Sequence, residues 1–325
     1  MRKILTAFVA ITVIFSCQDG KNSNQKILSK SSGNINNLSV VIDNDLWEGS
    51  VGEAVRDVFA APVHGLNQDE PLFKLSQIPP SVFSGFATKN RIVLKIEKGN
   101  EAQVKIAKDA FAKPQKLVIV SGNSNQEIID QIQENADRMI MSLKNEEIKE
   151  RQRRTKLSLH KNNNIKENLG ISIEFPSAYR IAKETDNFYW IRKDITTGTT
   201  NIMLYELPYG TIKENDSLVN QIIKMRDSIG EIHIPGPTDG SFMVTEMAYS
   251  PFLTKTTIDD KTAYETKGLW DVKNAFMSGP FVNYVINDEA NNRQLVVEGF
   301  AFAPSVEKRD YMFELESIIK SIKFE

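Results

Sequence analysis

Cys17 is the only cysteine of the 325-residue chain, and its thiol is the most reactive nucleophile that the sequence offers. It follows an uncharged, mainly apolar run, residues 4–15, which itself follows Arg2 and Lys3. Twelve helical residues span about 18 Å, too short to cross the roughly 30 Å apolar core of a bilayer. This pattern is typical of a secretory signal peptide. We therefore predict that residues 1–16 are removed and that Cys17 begins the mature chain.

The four residues at the predicted cleavage point, IFSC, resemble the lipobox of bacterial lipoproteins, with Phe15 bulkier than the usual residue at its place. In that family the cysteine sulfur carries diacylglycerol, so the resemblance implies lipid attachment at Cys17. Two or three acyl chains hold a protein stably on a membrane. The alternative is an ordinary signal peptide followed by a coincidental cysteine. No cysteine follows Cys17, so we expect a fold held by its core rather than by disulfides.

The other reactive residue types show no recognised catalytic pattern. His64, His160 and His233 are far apart and belong to no zinc-binding motif. Ser121-Gly122 lies between a predicted strand and a predicted helix, but one glycine without a following lysine falls short of a phosphate-binding loop. We therefore predict no catalytic, cofactor-binding or metal-binding residue. His233, in EIHIPGP, is predicted to lie in a loop.

Two pairs of neighbouring acids, Asp259-Asp260 and Asp288-Glu289, have the residue types for acid–base or calcium chemistry. Both pairs fall between predicted strands, where turns favour aspartate, so we expect solvated side chains.

A run of three aromatic residues, FYW at 188–190, lies in a predicted strand, where neighbouring side chains point to opposite faces. We expect Trp190 in the core, and an exposed opposite face would offer a binding platform for a glycan or a protein.

Composition indicates an ordinary globular protein whose net charge is too small to create a strong electrostatic field. The chain has 41% hydrophobic and 25% charged residues, and 40 basic against 42 acidic side chains give a net charge of −2. This balance argues against a nucleic-acid partner. The length that remains after residue 16 suits two domains.

The first half of the mature chain is predicted to be a polar, disordered tether, residues 17–37, followed by an N-terminal α/β domain, residues 38–156. RIVLKIE and KLVIVSG are predicted strands, and Ser50 and Ser124 each begin a predicted capping box. The second box opens a long helix whose apolar residues recur every three or four positions.

The end of that helix, residues 144–156, is rich in arginine and lysine. We predict the ion pairs Glu147/Arg151 and Glu150/Arg154 on a solvated surface. The alternative is a basic arm that contacts lipid headgroups. Residues 157–168 are predicted to link the two domains.

Residues 169–325 are predicted to form a C-terminal α+β sandwich domain. LGISIEFP alternates as a half-buried strand does, FVNYVIN and RQLVVEGFAFA form a hairpin, and an apolar helix follows. We predict an α+β protein of two domains, each a mainly antiparallel sheet with packed helices.

Several stretches together resemble domain-of-unknown-function family 4837, predicted lipoproteins of Bacteroidota. They are FKLSQIPPSVFSGFATKNRIVLKIE, ERQRR, GISIEFPSAYRIAKETDNFYWIRKD and VEGFAFAPSVEKRDYMFELESIIKSIKF. The resemblance covers nearly the whole chain but implies no activity. The second domain is also similar in pattern to the PsbP and Mog1-type fold, whose members are mostly adaptors and assembly factors.

We therefore expect a lipoprotein of the cell envelope, anchored through Cys17 and facing the periplasm or the cell surface, with the outer membrane favoured over the inner one. Its expected role is non-catalytic binding or assembly, with an envelope protein or a glycan as partner. The alternative is an envelope enzyme that acts on glycan, peptidoglycan or lipid at a site between the two domains.

Overall fold

The computed structural model describes residues 28–161 and 164–325, so the predicted signal peptide and Cys17 lie outside the described residues. Within those two ranges, no helix has the length and apolar character needed to span a membrane.

The first domain has helices on one face of a five-stranded sheet, with strand order β3-β2-β4-β7-β5. Its elements in chain order are β1 (Ser29–Lys30), β2 (Asn37–Val41), α1 (Asn44–Glu48), α2 (Ser50–Phe59), β3 (Lys74–Ile78), β4 (Ile92–Lys98), β5 (Gln103–Lys108), β6 (Ala112–Lys113), β7 (Lys116–Gly122), α3 (Asn125–Glu134) and α4 (Ala136–Thr155). Short 3₁₀ turns occupy Pro80–Val82 and Ala87–Lys89.

The sheet of the first domain is mixed. The pairs β2–β3, β2–β4 and β4–β7 are parallel, and only β5–β7 is antiparallel. The prediction of a mainly antiparallel sheet is therefore wrong for this domain. Continuous apolar runs such as IVL in β4 indicate burial on both faces, which is typical of parallel strands. Helices α2, α3 and α4 cover one face, and the loop that contains Phe83 covers the other.

The long predicted helix is two helices that meet at Asn135. Its apolar positions Ile128, Ile132, Met139 and Leu143 are buried against the sheet. Ser124 caps α3 as predicted, with its hydroxyl accepting from the Glu127 amide at 3.2 Å.

Ser50 does not cap α2. It is the first helical residue, and the N-cap position is Gly49, without a side-chain hydrogen bond.

The predicted disordered tether and the predicted linker are both partly folded. Residues 29–37 of the predicted tether belong to the first domain, since β1 pairs with β6 and Asn37 begins β2. Within the predicted linker, residues 164–168 lie in helix α5 (Asn164–Leu169), and Ile165 is buried in the second core.

The second domain is an eight-stranded antiparallel sheet between layers of helix. Following α5, its elements are β8 (Ile171–Ser172), β9 (Arg180–Thr185), β10 (Phe188–Ile195), β11 (Gly198–Pro208), α6 (Leu218–His233), β12 (Met243–Thr245), β13 (Phe252–Ile258), β14 (Lys261–Val272), β15 (Ala275–Asp288), β16 (Arg293–Phe302), α7 (Arg309–Ile319) and β17 (Lys323–Phe324). Short 3₁₀ turns occupy Lys156–Ser158 and Glu289–Asn291.

The strand order is β12-β14-β15-β16-β11-β10-β9, with β13 beside β14. Helices α5 and α7 pack on one face of the sheet, and α6 packs on the other. The predicted β15–β16 hairpin is present. LGISIEFP contains only the two-residue strand β8, which pairs with β17, although Leu169, Ile171 and Phe175 are buried as the alternation predicts. The two-domain α+β prediction is confirmed.

Candidate functional site

The two domains meet where α4 of the first packs along α7 of the second. Lys144 of α4 binds Glu316 of α7 with Nζ 2.8 Å from Oε1, and Gln152 donates to the Ser317 carbonyl at 3.0 Å. Arg151 pairs with Glu314 of α7 rather than with the predicted Glu147. The prediction of a solvated helix end is therefore wrong, because much of this helix end is the contact surface between the domains.

Glu316 is the centre of the first ion cluster of the junction, which we call the Glu316 cluster. Its carboxylate lies within 2.8 Å of Lys144, 2.7 Å of Lys320 and 3.6 Å of Lys267. Lys267 also binds Glu265 at 3.0 Å. The cluster therefore links α4, α7 and β14 by charge.

The pKa shifts show which charges the cluster stabilises. Burial alone would raise the pKa of Glu316, but the lysines outweigh it and hold that pKa well below its ordinary value. Burial would lower the pKa of Lys267, but Glu316 and Glu265 outweigh it and raise the pKa. The pKa of Lys144 is lowered by burial, which Glu316 only partly offsets. The cluster thus favours the charged forms of Glu316 and Lys267.

A second cluster lies around Glu314, further along the same interface. Arg151 and Lys193 both pair with this carboxylate, and the Tyr179 hydroxyl donates to it at 2.8 Å. The Thr200 hydroxyl in turn donates to Tyr179 at 3.0 Å. Glu314 thus connects α4 of the first domain to β10 and β11 of the second.

The first domain also caps the last helix of the second. Glu70, which is buried, accepts hydrogen bonds from the backbone amides of Lys308 at 2.7 Å and Arg309 at 2.6 Å. The Arg309 side chain donates to the Pro71 carbonyl at 3.0 Å. A carboxylate at this end of a helix satisfies otherwise unpaired amides and opposes the positive end of the helix dipole.

An open groove of about 280 Å³ runs along the junction, and we call it the junction groove. Its walls come from the loop after α2, from α4, and from strands β13 and β14. The rings of His64 and Phe252 stack across it with centroids 4.2 Å apart, and Phe252 is 48% exposed. Its lining residues are Val58, Ala61, Pro62, Val63, His64, Leu72, Ile140, Lys144, Phe252, Thr254, Glu265 and Lys267.

The loop that carries His64 is held close to the second domain by Gly65. This residue has φ +82°, and a Cβ there would lie 2.9 Å from the Lys267 Cβ. A smaller cavity of about 40 Å³ also lies in the junction, beside Leu66 and Met312. A cavity of this size holds little more than water.

The three histidines lie apart from one another. His64 lines the junction groove, His160 stacks on Phe175 at 4.7 Å, and His233 stacks on Phe188 at 3.8 Å. His233 is the last residue of α6 rather than a loop residue, and burial followed by the charge of Lys183 lowers its pKa. Among residues 28–161 and 164–325, no three His, Cys, Asp or Glu side chains are grouped to hold a metal ion.

The two acid pairs have different surroundings. Asp259 and Asp260 form the β13–β14 turn, and Asp259 accepts from Lys323 at 2.7 Å and from the Phe324 amide at 2.8 Å. Asp288 is fully buried and bound by Lys261 and Arg293, so the expectation of a solvated side chain is wrong for it. Ser121 donates to the Glu101 carbonyl. These contacts hold the side chains of Asp259, Asp288 and Ser121 in place.

The FYW run of β10 has no free aromatic face. Phe188 and Tyr189 are both buried, and Trp190 is half-buried with its Nε1 donating to Asn201 at 3.0 Å. The exposed ring of the junction, Phe252, lies in a strand that the sequence pattern did not single out. Its signal was the β-branched run FLTKTTI in β13.

Known proteins resemble the chain in sequence over two adjoining regions. Residues 158–321 match the family described as Domain of unknown function (DUF4837), and residues 31–156 match a second one, Domain of unknown function (DUF8532). A search of the curated proteins finds no match.

Three solved structures that match the chain show a distant likeness to it. Two are Mog1 structures, a point mutant and the Saccharomyces cerevisiae Ran-binding protein, each 9% identical, with TM-scores of 0.32 and 0.31. Both cover 47% of this chain, against 90% and 89% of their own. LpqN of Mycobacterium tuberculosis, involved in cell envelope biogenesis, is 13% identical with a TM-score of 0.28, covering 47% of this chain and 83% of its own. TM-scores this low do not show membership of a common family, whereas the first sequence match spans half of the chain. The chain therefore belongs to the DUF4837 family.

Proposed function

We propose that this protein is a lipid-anchored lipoprotein of the cell envelope that binds a partner protein in the junction groove, without catalysis. The observation that carries the binding role is the exposed Phe252–His64 ring pair, set on two domains that the Glu316 cluster and Glu70 hold together. Aromatic side chains on a rigid support are typical of the residues that dominate interface energies.

The charges of the junction groove favour a partner side chain over a small substrate. Its volume of about 280 Å³ is at the lower edge of the range of about 300–1,000 Å³ that is usual for small-molecule sites. Each charged side chain that lines it, Lys144, Glu265 and Lys267, is already in an ion pair. This engagement is the reason that we propose binding rather than the alternative of an envelope enzyme.

The anchor part of the proposal rests on Cys17 and the lipobox-like residues before it. Lipid on Cys17 would place the protein on the outer or inner membrane, with the outer one favoured, and the partner would be another protein of the envelope.

The test uses the full chain isolated from its own cells after labelling with palmitate. Wild-type protein should carry the label and be found in the membrane fraction. The Cys17→Ser variant should carry no label and should be absent from the membrane fraction. Proteins retained by wild type are then compared with those retained by Phe252→Ala. Phe276→Ala is the matched control, since Phe276 is a fully exposed phenylalanine outside the junction groove.

We expect at least one partner protein that is co-isolated with wild type and with Phe276→Ala but not with Phe252→Ala. Equal retention by both variants would contradict the groove, and an unlabelled, membrane-bound Cys17→Ser protein would contradict the anchor.

A further inference from the structure

The described chain enters the first domain beside Phe111. Strand β1 runs parallel to β6, with Ser29 opposite Ala112 and Lys30 opposite Lys113. Because the strands are parallel, the residue before Ser29 lies beside the residue before Ala112, which is Phe111. The segment that leads back to Cys17 therefore leaves the domain at this point.

Exposed apolar side chains surround this entry point. Phe86 is 84% exposed, Val82 58% and Phe111 40%. The ring of Phe83 meets that of Phe111 edge-on at 5.6 Å and packs on the sheet face opposite the helices. We call Val82, Phe86 and Phe111, with the three lysines described next, the tether-side face.

The loops of the tether-side face are positively charged. Residues 80–90 and 108–114 contain Lys89, Lys108 and Lys113, and their only acid is Asp109. The Asp109 carboxylate accepts from the Gln115 amide at 2.9 Å. Lys89 has its ammonium 4.7 Å from the ring centroid of Phe86, so charge and apolar surface are adjacent.

Hydrogen bonds hold the two loops in place. Gln115 is fully buried, and its side chain donates to the carbonyls of Thr88 at 2.7 Å and Asn90 at 2.8 Å. Its Oε1 accepts from the Phe111 amide at 2.9 Å. The incoming chain is tied to the same loops, since the Ser32 amide donates to the Lys89 carbonyl at 2.9 Å. The exposed rings are therefore carried by a fixed surface.

We propose that the tether-side face lies on the phospholipid bilayer that holds the lipid of Cys17. The inference rests on the lipid anchor of the proposed function. Eleven residue steps separate Cys17 from Leu28, the first described residue, and they span at most about 40 Å. Such a short connection keeps this face at high local concentration next to the membrane. Aromatic and aliphatic side chains enter the headgroup boundary, and lysines bind anionic headgroups.

The experiment measures how close position 86 comes to lipid chains. Phe86→Cys and Phe276→Cys variants of the full chain are isolated in their lipidated form and reacted with a thiol-specific fluorophore. Each is reconstituted into vesicles of phosphatidylethanolamine and phosphatidylglycerol that carry nitroxides on their acyl chains. Phe276 is the matched control because it is fully exposed and belongs to the second domain.

We expect nitroxide quenching at position 86 to exceed that at position 276 by at least about twofold, as befits the depth of an interfacial side chain. Equal quenching at the two positions, or none at position 86, would overturn the membrane contact. Wild-type protein should not react with the fluorophore, because the sulfur of its only cysteine, Cys17, would be in a thioether. Reaction of the wild type would overturn the anchor itself, and this inference with it.

Discussion

Arg226 and Glu298 form a buried ion pair in the second domain, outside the junction. Two guanidinium nitrogens lie 2.6 and 2.7 Å from the carboxylate oxygens of Glu298, and both side chains are almost fully buried. The guanidinium also lies 3.4 Å from the centroid of the Phe281 ring, and Asn283 donates to Glu298 at 2.8 Å. Each charge of the pair thus depends on the other for its stability in the core.

We predict that Arg226→Met lowers the free energy of unfolding by about 3–5 kcal/mol, because it leaves a buried carboxylate without its counterion. Lys224→Met is the control, since Lys224 is an exposed cation on the same helix, and we expect a change within about 0.5 kcal/mol. Urea unfolding followed by circular dichroism measures both. A similar loss in the two variants would show that the helix, not the ion pair, is responsible.

Single residues show where the sequence pattern fails. Apolar spacing places α6 on the sheet, as Leu218 and Ile222 confirm, but it gives no sign that Arg226 shares the buried face. Glu316 is missed for the same reason. A buried charge can be predicted only when its counterion is known. Glu298 lies 72 residues from Arg226 in the sequence, and Lys144 lies 172 residues from Glu316.

Among the elements, α7 depends on a residue outside its own domain. Glu70 binds the amides at its beginning, whereas the local N-cap residue, Lys308, makes no side-chain cap.

We predict that Glu70→Ala lowers the free energy of unfolding by about 1–2 kcal/mol, the usual cost of losing a cap. Asp69→Ala, at the neighbouring exposed acid, is the matched control and should change it by less than about 0.5 kcal/mol. Hydrogen exchange should show faster exchange at the amides of Lys308 and Arg309 in the Glu70 variant. Unchanged exchange there would contradict the capping role.

Elements whose apolar residues recur at regular spacing could be predicted from the sequence, but the elements that they pair with could not. The stripe from Ile128 to Leu143 and the β15–β16 hairpin follow from local spacing. The parallel pairing of β2 with β3 and β4 was not predicted, although the continuous apolar run IVL of β4 is typical of parallel strands buried on both faces. No residue of the junction groove was predicted, and a site between the domains was proposed only for the alternative of an envelope enzyme. Its residues come from a loop and from the edge strand β13, which carry weak patterns.

On the scale of the whole molecule, both the domain junction and the first domain should be sensitive to acid. In the junction the folded state holds the pKa of Glu316 well below its ordinary value of 4.5. Within the first domain, burial would raise the pKa of Glu150, but hydrogen bonds from Arg153 and Arg154 outweigh it and hold that pKa at about 2. A carboxyl with a lowered folded pKa contributes stability above its unfolded pKa, and this contribution is lost as pH falls through the folded pKa. Acid should therefore weaken the ion pairs that both carboxylates make.

We predict on this basis that the free energy of unfolding decreases from about pH 5 toward pH 2. Glu316→Gln should be less stable at pH 7 and should lose part of this pH dependence. Glu101→Gln, at an exposed glutamate, should retain all of it. Urea titrations at pH 7, 5, 4 and 3 measure the three proteins. An equal pH dependence in wild type and Glu316→Gln would contradict the role of the cluster.

Glu70 and Lys144 are synthesised long before the α7 residues that they bind. The Lys308 amide follows Glu70 by 238 positions, and Glu316 follows Lys144 by 172. Until α7 has been made, Glu70 and Lys144 lack these partners. A chain that ends before residue 308 would therefore lack the contacts by which Glu70 and Lys144 join the two domains.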